Sequence, residues 1–523
     1  MIHGFSLIGP APGHPGGATF HAQNPATGAR LDPPFHSASG AEVDRAVELA
    51  EAAAPAMEAA PREARSALLC RIAAGLEEAA GELVPRVMAE TALPEPRVRG
   101  ELARTCGQLR LFADVAAEGS WVEARLDSGH PGRTPLPKPD LRSMLQPLGP
   151  VAVFGASNFP LAFGAVGGDT ASALAAGCPV VAKAHPLNPG TSEQVAQVVQ
   201  AALLREGLPS GAFSLLFDAG HDVARRLVGH PAIRAVGFTG SFRGGSALLE
   251  LARNRPAPIP VFAEMGAANP VVVLPGALAA LGSRLGQTLA ASVLNGVGQF
   301  CTCPGIVLAV QGPGFRSLRS GLAEAMSAAP PAPMLGEGLA LAYRRGLERH
   351  QAEGANPVFP SCPSQGCFGA PALLETTAQD LLRRPDLMEE VFGPATLLVA
   401  CADEAERRKV IAAFPAQLTA TLWMEPGDEA LAADLLPELR RLAGRVLFNG
   451  VPTGVEVGHA MVHGGPWPAT SAPQSTSVGT RAIARWARPI CYQDAPENLL
   501  PMALQTGNPL GLWRLRDGAF DRH

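Results

Sequence analysis

The stretch Asn295-Gly-Val-Gly-Gln-Phe-Cys301-Thr-Cys303-Pro-Gly sets a cysteine in a glycine-rich segment flanked by apolar runs. A thiolate is the strongest nucleophile among ordinary side chains, and glycines beside it let a substrate or a backbone donor come close. Taken alone, a cysteine reads as a small buried hydrophobe, so Cys301 needs partners before it counts as a nucleophile. Attack on a carbonyl carbon requires donors for the oxyanion that forms, and hydrolysis of the resulting acyl-enzyme requires a base for water. Asn158, in Phe154-Gly-Ala-Ser-Asn158-Phe-Pro160, carries an amide that can donate, and Glu264, in Phe262-Ala-Glu264-Met-Gly266, carries a carboxylate that can act as the base. Singly, Asn158 would be a turn residue and Glu264 a solvated loop carboxylate.

These residues need a frame. Val151–Phe154, Pro179–Ala182, Phe213–Phe217, Ala235–Phe238 and Pro260–Ala263 are short apolar runs separated by helical patterns. That alternation predicts a parallel, doubly wound sheet, which binds nucleotides at the carboxyl ends of its strands. Gly240 and Gly245 frame a turn expected to open a helix near Gly244, so its N–H groups and positive end, with Ser241, suit a pyrophosphate. The spacing is not the Gly-x-Gly-x-x-Gly fingerprint. Pro270–Leu274, Ile306–Val310, Thr396–Ala400 and Leu418–Trp423 imply a second α/β domain over 265–475. The reaction is then expected where the two domains meet. The first hundred residues read as helical from the Ser39-Gly-Ala-Glu42 capping box, through Leu68, Leu69, Ile72 and Leu76, with breaks at Pro61, Pro94 and Pro96. Residues 127–148 are rich in turn formers.

With 523 residues and 47% hydrophobic content, the chain can bury a large core spread over two or three domains. A net charge of −5, with no dense Lys/Arg run, argues against a nucleic-acid partner. The N-terminus has neither a basic start nor a sustained apolar stretch, so no secretory signal is read, and the apolar runs are too short for a membrane span. Cysteines at 70, 106, 178, 301, 303, 362, 367, 401 and 491 are scattered, which fits a reducing cytoplasm. His459-Ala-Met-Val-His463 and Cys362-Pro-Ser-Gln-Gly-Cys367 each lack a second pair at zinc spacing, so they are read as loop residues and no metal is expected.

The Cys301, Asn158, Gly240 to Gly245 and Glu264 segments, with Glu389-Glu390-Val-Phe392-Gly-Pro394, resemble the aldehyde dehydrogenase superfamily from Asn24-Pro-Ala-Thr-Gly to Asn508-Pro-Leu-Gly-Leu-Trp513. The resemblance implies a Rossmann-like cofactor domain (1–126 and 149–264), a catalytic α/β domain (265–475), and a β-arm (127–148) that with the tail (476–523) builds a homodimer or homotetramer. It further implies that Cys301 forms a thiohemiacetal with an aldehyde, that hydride passes to a nicotinamide, and that Glu264 activates water against the thioester. Relatives that pass the acyl group to coenzyme A generally lack this base, so the chain looks hydrolytic. Lys183 matches the lysine at the adenosine ribose, while Glu390, with Phe392 beside it, matches the residue at the nicotinamide ribose. Pro186 stands where NAD-preferring relatives carry Glu, so NADP is expected with NAD as the alternative; His221 and Arg225 are the cations to consider. Cys303, where close relatives often have Asn, either packs or forms a reversible disulfide.

Three longer segments, around Phe154 to Phe163, Gly167 to Pro186 and Pro452 to Pro466, are similar to 2-oxoglutarate semialdehyde (2,5-dioxopentanoate) dehydrogenases. NADP-linked fatty aldehyde dehydrogenases share the same elements and supply the alternative. A carboxylated substrate needs a cation in the tunnel. Arg104 and Gln108, four apart on one helix face that by alignment lines the tunnel mouth, are candidates together with Phe163; Arg104 can equally be a surface charge. A non-redox esterase and a catalytically silent binding protein are the readings from other classes.

Overall fold

The computed structural model describes residues 1–15, 17–360 and 362–523. β1 (Val151–Phe154), β2 (Val180–Lys183), β3 (Phe213–Leu216), β4 (Ala235–Thr239) and β5 (Val261–Glu264) pair in parallel in the order β5-β4-β1-β2-β3. β1 and β3 are buried throughout, which is why these strands read as continuous apolar runs instead of alternating ones. From β1 the chain steps outward to β2 and β3, then returns to β4 and β5 on the other side. The order reverses between β1 and β4, the switch point at which sheets of this kind bind ligands in a crevice at the carboxyl ends of their strands. The helix after β4 begins at Phe242, two residues earlier than expected, because Ser241 is its N-cap and its hydroxyl accepts the Gly244 N–H at 3.2 Å.

β6 (Val271–Val273), β7 (Ile306–Val310), β8 (Ala372–Thr377), β9 (Ala395–Cys401), β10 (Gln417–Trp423) and β11 (Ala443–Phe448) form a second parallel array, ordered β8-β9-β7-β6-β10-β11. β5 ends at Glu264 and β6 begins at Val271, so the link carrying Met265 to Pro270 joins the two sheets.

The helical reading of the N-terminal hundred residues holds from Gly40 onward, where the Ser39/Glu42 capping box starts a helix to Ala59. Before it lie strands. Leu7–Ile8 adds antiparallel to β3, and Thr19–Gln23 pairs with Arg30–His36 across a turn in which Asn24 Oδ1 accepts the Ala26 and Thr27 N–H groups. An Asx turn competes with helix in this way. Residues 127–148 contribute to a five-stranded sheet that joins Arg125–Asp127 and Leu141–Pro147 to Ala487–Gln493, Arg514–Arg516 and Ala519–Asp521 of the tail.

After β11 the chain returns to the first sheet. Met265 N–H donates to the Ala469 carbonyl and Ser471 N–H to the Ala263 carbonyl, so this return strip lies along β5. Trp486, fully buried, fixes its end by donating from Nε1 to Ser172 Oγ at 2.7 Å, and Arg485 pairs with Asp169 at 2.7 Å. Trp486→Ala is expected to cost about 3–5 kcal/mol by emptying this site. Chemical denaturation should show an earlier midpoint; an unchanged midpoint would show that the strip is held elsewhere.

Candidate active site

The helix Pro275–Leu294 ends in a turn where Gly296, Val297 and Gly298 take positive φ of 56°, 57° and 66°. A Cβ on Gly298 would lie 2.0 Å from the Gly393 carbonyl oxygen, so only glycine lets the nucleophile segment pack against the Glu390-Val-Phe-Gly motif. Cys301 follows, half-buried. Asn269, fully buried with φ of 51°, holds it from below: Nδ2 donates to the carbonyls of Cys301 at 2.8 Å and Cys303 at 3.1 Å, while Oδ1 accepts from Thr419 N–H and Oγ1. Thr419 lies in β10, so the second sheet sets the height of the nucleophile. Cys303 packs in the apolar cluster with Val293 and Phe300, and burial pushes its thiol pKa up. All nine cysteines are free.

Asn158 reaches the same segment from the first sheet, donating from Nδ2 to the Gln299 carbonyl at 2.9 Å. Its loop is fixed by a residue that sequence reasoning passed over. Buried Glu101 accepts the Leu161 and Ala162 N–H groups at 2.9 and 3.0 Å through Oε1 and pairs with Arg97 at 2.9 Å through Oε2. Arg97 then lies over the rings of Phe159 at 4.6 Å and Phe300 at 5.3 Å, which meet edge to face.

Glu264, at the end of β5, is buried and faces a residue expected to be no more than a loop histidine. That expectation for His463 is corrected here: its Nε2 stands 2.5 Å from Glu264 Oε1 and 3.3 Å from Cys301 Sγ. The Ser477 hydroxyl donates to Glu264 Oε2, and Thr476 Oγ1 accepts the His463 N–H at 2.9 Å. The return strip along β5 is what delivers His463. Burial opposes a charge on the imidazole, but Glu264 and Cys301 outweigh it and push its pKa up to about 10. The sequence did carry a signal, since His463 lies in the quoted Pro452 to Pro466 segment, before Gly-Gly-Pro. Glu264, Cys301 and His463 also bring three ligand-capable atoms within 4.8 Å, whereas His459 and Cys362 lie exposed elsewhere.

At the crevice, the Gly240 N–H donates to the Glu264 carbonyl at 3.0 Å, tying the turn to β5. Ser241 is exposed at the helix N-terminus, and a Cβ on Gly245 would meet Met265 Sδ at 2.6 Å, so this glycine serves close helix-to-strand packing. Lys183 ends β2; burial lowers its ammonium pKa to about 8 against the opposing pull of Asp218. Glu390, half-buried, fills the place of a Cβ on Gly266, accepts the Ala267 N–H, and is pushed up to about 8 by burial. Phe392 follows it, half-buried. A desolvated cation, an exposed helix N-terminus and a carboxylate are the groups a dinucleotide takes. Arg225 pairs with Asp222 at 2.5 Å, and His221 begins that helix.

A nucleophile, an amide donor, a buried carboxylate and a dinucleotide crevice at the meeting of two parallel sheets coincide with a sequence profile. The aldehyde dehydrogenase family profile matches residues 14–466. The chain belongs to the aldehyde dehydrogenase family. It is 50% identical over 99% of both chains to alpha-ketoglutaric semialdehyde dehydrogenase 2 of Azospirillum brasilense. It is 45% identical to alpha-ketoglutaric semialdehyde dehydrogenase of Acinetobacter baylyi, over 94% of this chain and 93% of that one. The fold matches a solved aldehyde dehydrogenase C mutant from Pseudomonas syringae, in complex with NAD+ and octanal, at TM-score 0.81 and 22% identity, covering 94% of this chain and 97% of that one. This aldehyde dehydrogenase is accordingly an oxidoreductase for small-molecule aldehydes that uses NAD or NADP. Among the described residues no helix is long and apolar enough to cross a membrane.

On the substrate side of this aldehyde dehydrogenase, Arg104 lies over the Phe163 ring at 5.3 Å, and Phe163 faces His463 with centroids 6.2 Å apart. Arg104 is partly buried and so is not a free surface charge. Gln108, on the same helix, is fully buried against Gly168, with both amide atoms lacking a hydrogen-bond partner.

Cys301→Ala is expected to abolish aldehyde oxidation and the dominant site of labelling by iodoacetamide, while Cys303→Ala keeps most of both. Peptide mapping of the labelled protein decides; labelling centred on Cys303 would reverse the assignment.

Proposed function

We propose that this aldehyde dehydrogenase oxidises 2,5-dioxopentanoate to 2-oxoglutarate, released as the free acid, with NADP preferred. The observation that carries the substrate is 50% identity along essentially the whole chain to a protein named for that activity. The chemistry follows from the site. Cys301 Sγ attacks the aldehyde carbon and the thiol proton passes to His463 Nε2. One amide hydrogen of Asn158 is held by Gln299, and the other, with the Cys301 backbone N–H, donates to the oxyanion of the thiohemiacetal. The nicotinamide, held by Glu390 and Phe392, supplies the hydride acceptor. Cys301 then carries the acyl group as a thioester. Glu264, oriented by Ser477 and His463, takes the proton from the attacking water.

Lys183 and the turn at Gly240, Ser241 and Gly245 hold the adenosine phosphate end. Pro186 leaves no carboxylate to repel a 2′-phosphate, which supports NADP. The division into a cofactor domain (1–126 and 149–264) and a catalytic domain (265–475) is supported by the two separate parallel sheets. The sheet built from 127–148 and the tail offers the surface for a homodimer or homotetramer, and we place the enzyme in the cytoplasm.

The substrate test is a panel of aldehydes with NAD and NADP: kcat/KM should be highest for 2,5-dioxopentanoate with NADP. A preference for long-chain fatty aldehydes would contradict it. Glu264→Gln should retain a burst of cofactor reduction close to one per active site but lose steady turnover, because the thioester forms and is not hydrolysed. If the burst disappears with the steady rate, Glu264 acts on Cys301 instead.

Lys183 gives a pH dependence. Its neighbours in the crevice are Asp218 and His185, and burial drives His185 down to about 3, so that ring is neutral. Below about pH 8 the free enzyme offers an ammonium to the cofactor, and above it the charge is lost. kcat/KM for NADP should fall as pH rises through 8 in the wild type, and Lys183→Arg should flatten that fall.

A further inference from the structure

Three atoms that can ligate a metal converge at the nucleophile. Glu264 Oε1, Cys301 Sγ and His463 Nε2 lie within 4.8 Å of one another, with Sγ 3.3 Å and Oε1 2.5 Å from the ring nitrogen. Nε2 has one in-plane direction for a proton or a lone pair, and it serves the sulfur. Glu264 Oε1 is therefore buried with no hydrogen-bond partner, although the imidazole stands beside it. A buried carboxylate oxygen in that state is costly. A proton can bridge only two of the three atoms, whereas an ion at their centre engages all of them.

The dimensions suit such an ion. Zinc bonds of about 2.3 Å to sulfur and about 2.0–2.1 Å to nitrogen and oxygen set tetrahedral ligand atoms roughly 3.3–3.6 Å apart. The sulfur–nitrogen separation is already of that size, and the Nε2···Oε1 contact needs only to open. Thiolate and imidazole also select zinc over magnesium or calcium, which take oxygen ligands. Two of the ligands are anionic, so a divalent ion leaves the buried site neutral. The Ser477 hydroxyl holds the carboxylate through Oε2, and Thr476 Oγ1 accepts the His463 N–H, so both groups are fixed from behind. Glu264 and His463 are buried and Cys301 is half-buried, so the fourth coordination position lies on the accessible side of the sulfur. His463 Nδ1 is buried without an acceptor. Metal-bound histidines commonly donate that hydrogen outward and gain basicity from it, so its lack here points to a reversible ion and not a permanent one.

We infer that Glu264, Cys301 and His463 form a reversible inhibitory site for Zn²⁺, with water in the fourth position. Binding forms Zn–S, Zn–N and Zn–O bonds, and the proton of the Sγ···Nε2 hydrogen bond leaves to solvent. The sulfur lone pair that attacks the aldehyde and the carboxylate that activates water are then both engaged, so thiohemiacetal formation and thioester hydrolysis stop together. This holds whichever aldehyde the enzyme oxidises.

The test adds Co²⁺ alone to the cofactor-free enzyme, since cobalt takes zinc sites and reports a thiolate ligand by charge-transfer absorption in the near ultraviolet. One Co²⁺ per chain should bind with that absorption; Zn²⁺ should displace it and Mg²⁺ should not. Saturating Zn²⁺ should slow Cys301 alkylation by iodoacetamide by about tenfold or more, because the thiolate is the reactive form, and EDTA should restore it. Cys301→Ala should abolish the absorption, His463→Asn and Glu264→Gln should each weaken Co²⁺ binding by about tenfold or more, and Cys303→Ala should change neither. NADP binding checks that each variant is folded, and protection of the wild type, which needs no substitution, decides if one is not. Absorption that survives in Cys301→Ala, affinity unchanged in both His463→Asn and Glu264→Gln, or Cys301 alkylated at its full rate in saturating Zn²⁺ would each overturn the site.

Discussion

His463 Nε2 sits 2.5 Å from Glu264 Oε1 and 3.3 Å from Cys301 Sγ, and the three residues come from distant parts of the chain. Glu264 ends a strand of the first sheet, Cys301 follows a helix of the second, and His463 arrives on the strip that returns to the first sheet. A buried imidazole keeps a proton only where anionic partners repay its desolvation. His463 is the member that touches both of the others, so the architecture must bring the return strip to the two sheets at one place.

It does so with buried polar residues that touch no substrate. Asn269 draws both cysteine carbonyls down onto β10, and Glu101 with Arg97 locks the Asn158 loop against Phe159 and Phe300. Ser477 and Thr476 fix the base and the histidine from behind. Together they tie the segments that carry the site to neighbouring elements. Such positioning acts by removing freedom from groups that must meet within hydrogen-bond reach.

Much of this was legible in the sequence. The nine strands expected in the two sheets all form within two residues of their expected limits, because parallel strands buried on both faces leave uninterrupted apolar runs. Cys301, Asn158 and Glu264 come together because their glycine-rich and strand-end settings are local features. What escaped was non-local. His463 sits in a loop with no periodicity of its own, and its role depends on a return path that no spacing records. Asn269 and Glu101 likewise look like a turn residue and a helix charge until the contacts across 32 and 60 residues are seen. The strands before Gly40 were missed because Thr19–Gln23 is interrupted by polar residues and Arg30–His36 by two prolines, so neither reads as an apolar run. Gly245, expected at phosphate, also faces Met265 at the helix-to-strand contact, a packing role that a glycine count does not reveal.

The rate of Cys301 alkylation by iodoacetamide at neutral pH, without cofactor, measures the thiolate that this arrangement is built to supply. In the wild type it should be fast, and His463→Asn should slow it by about tenfold or more while NADP binding persists. An unchanged alkylation rate in the His463 variant would contradict the account, because the proton of Cys301 would then have another destination.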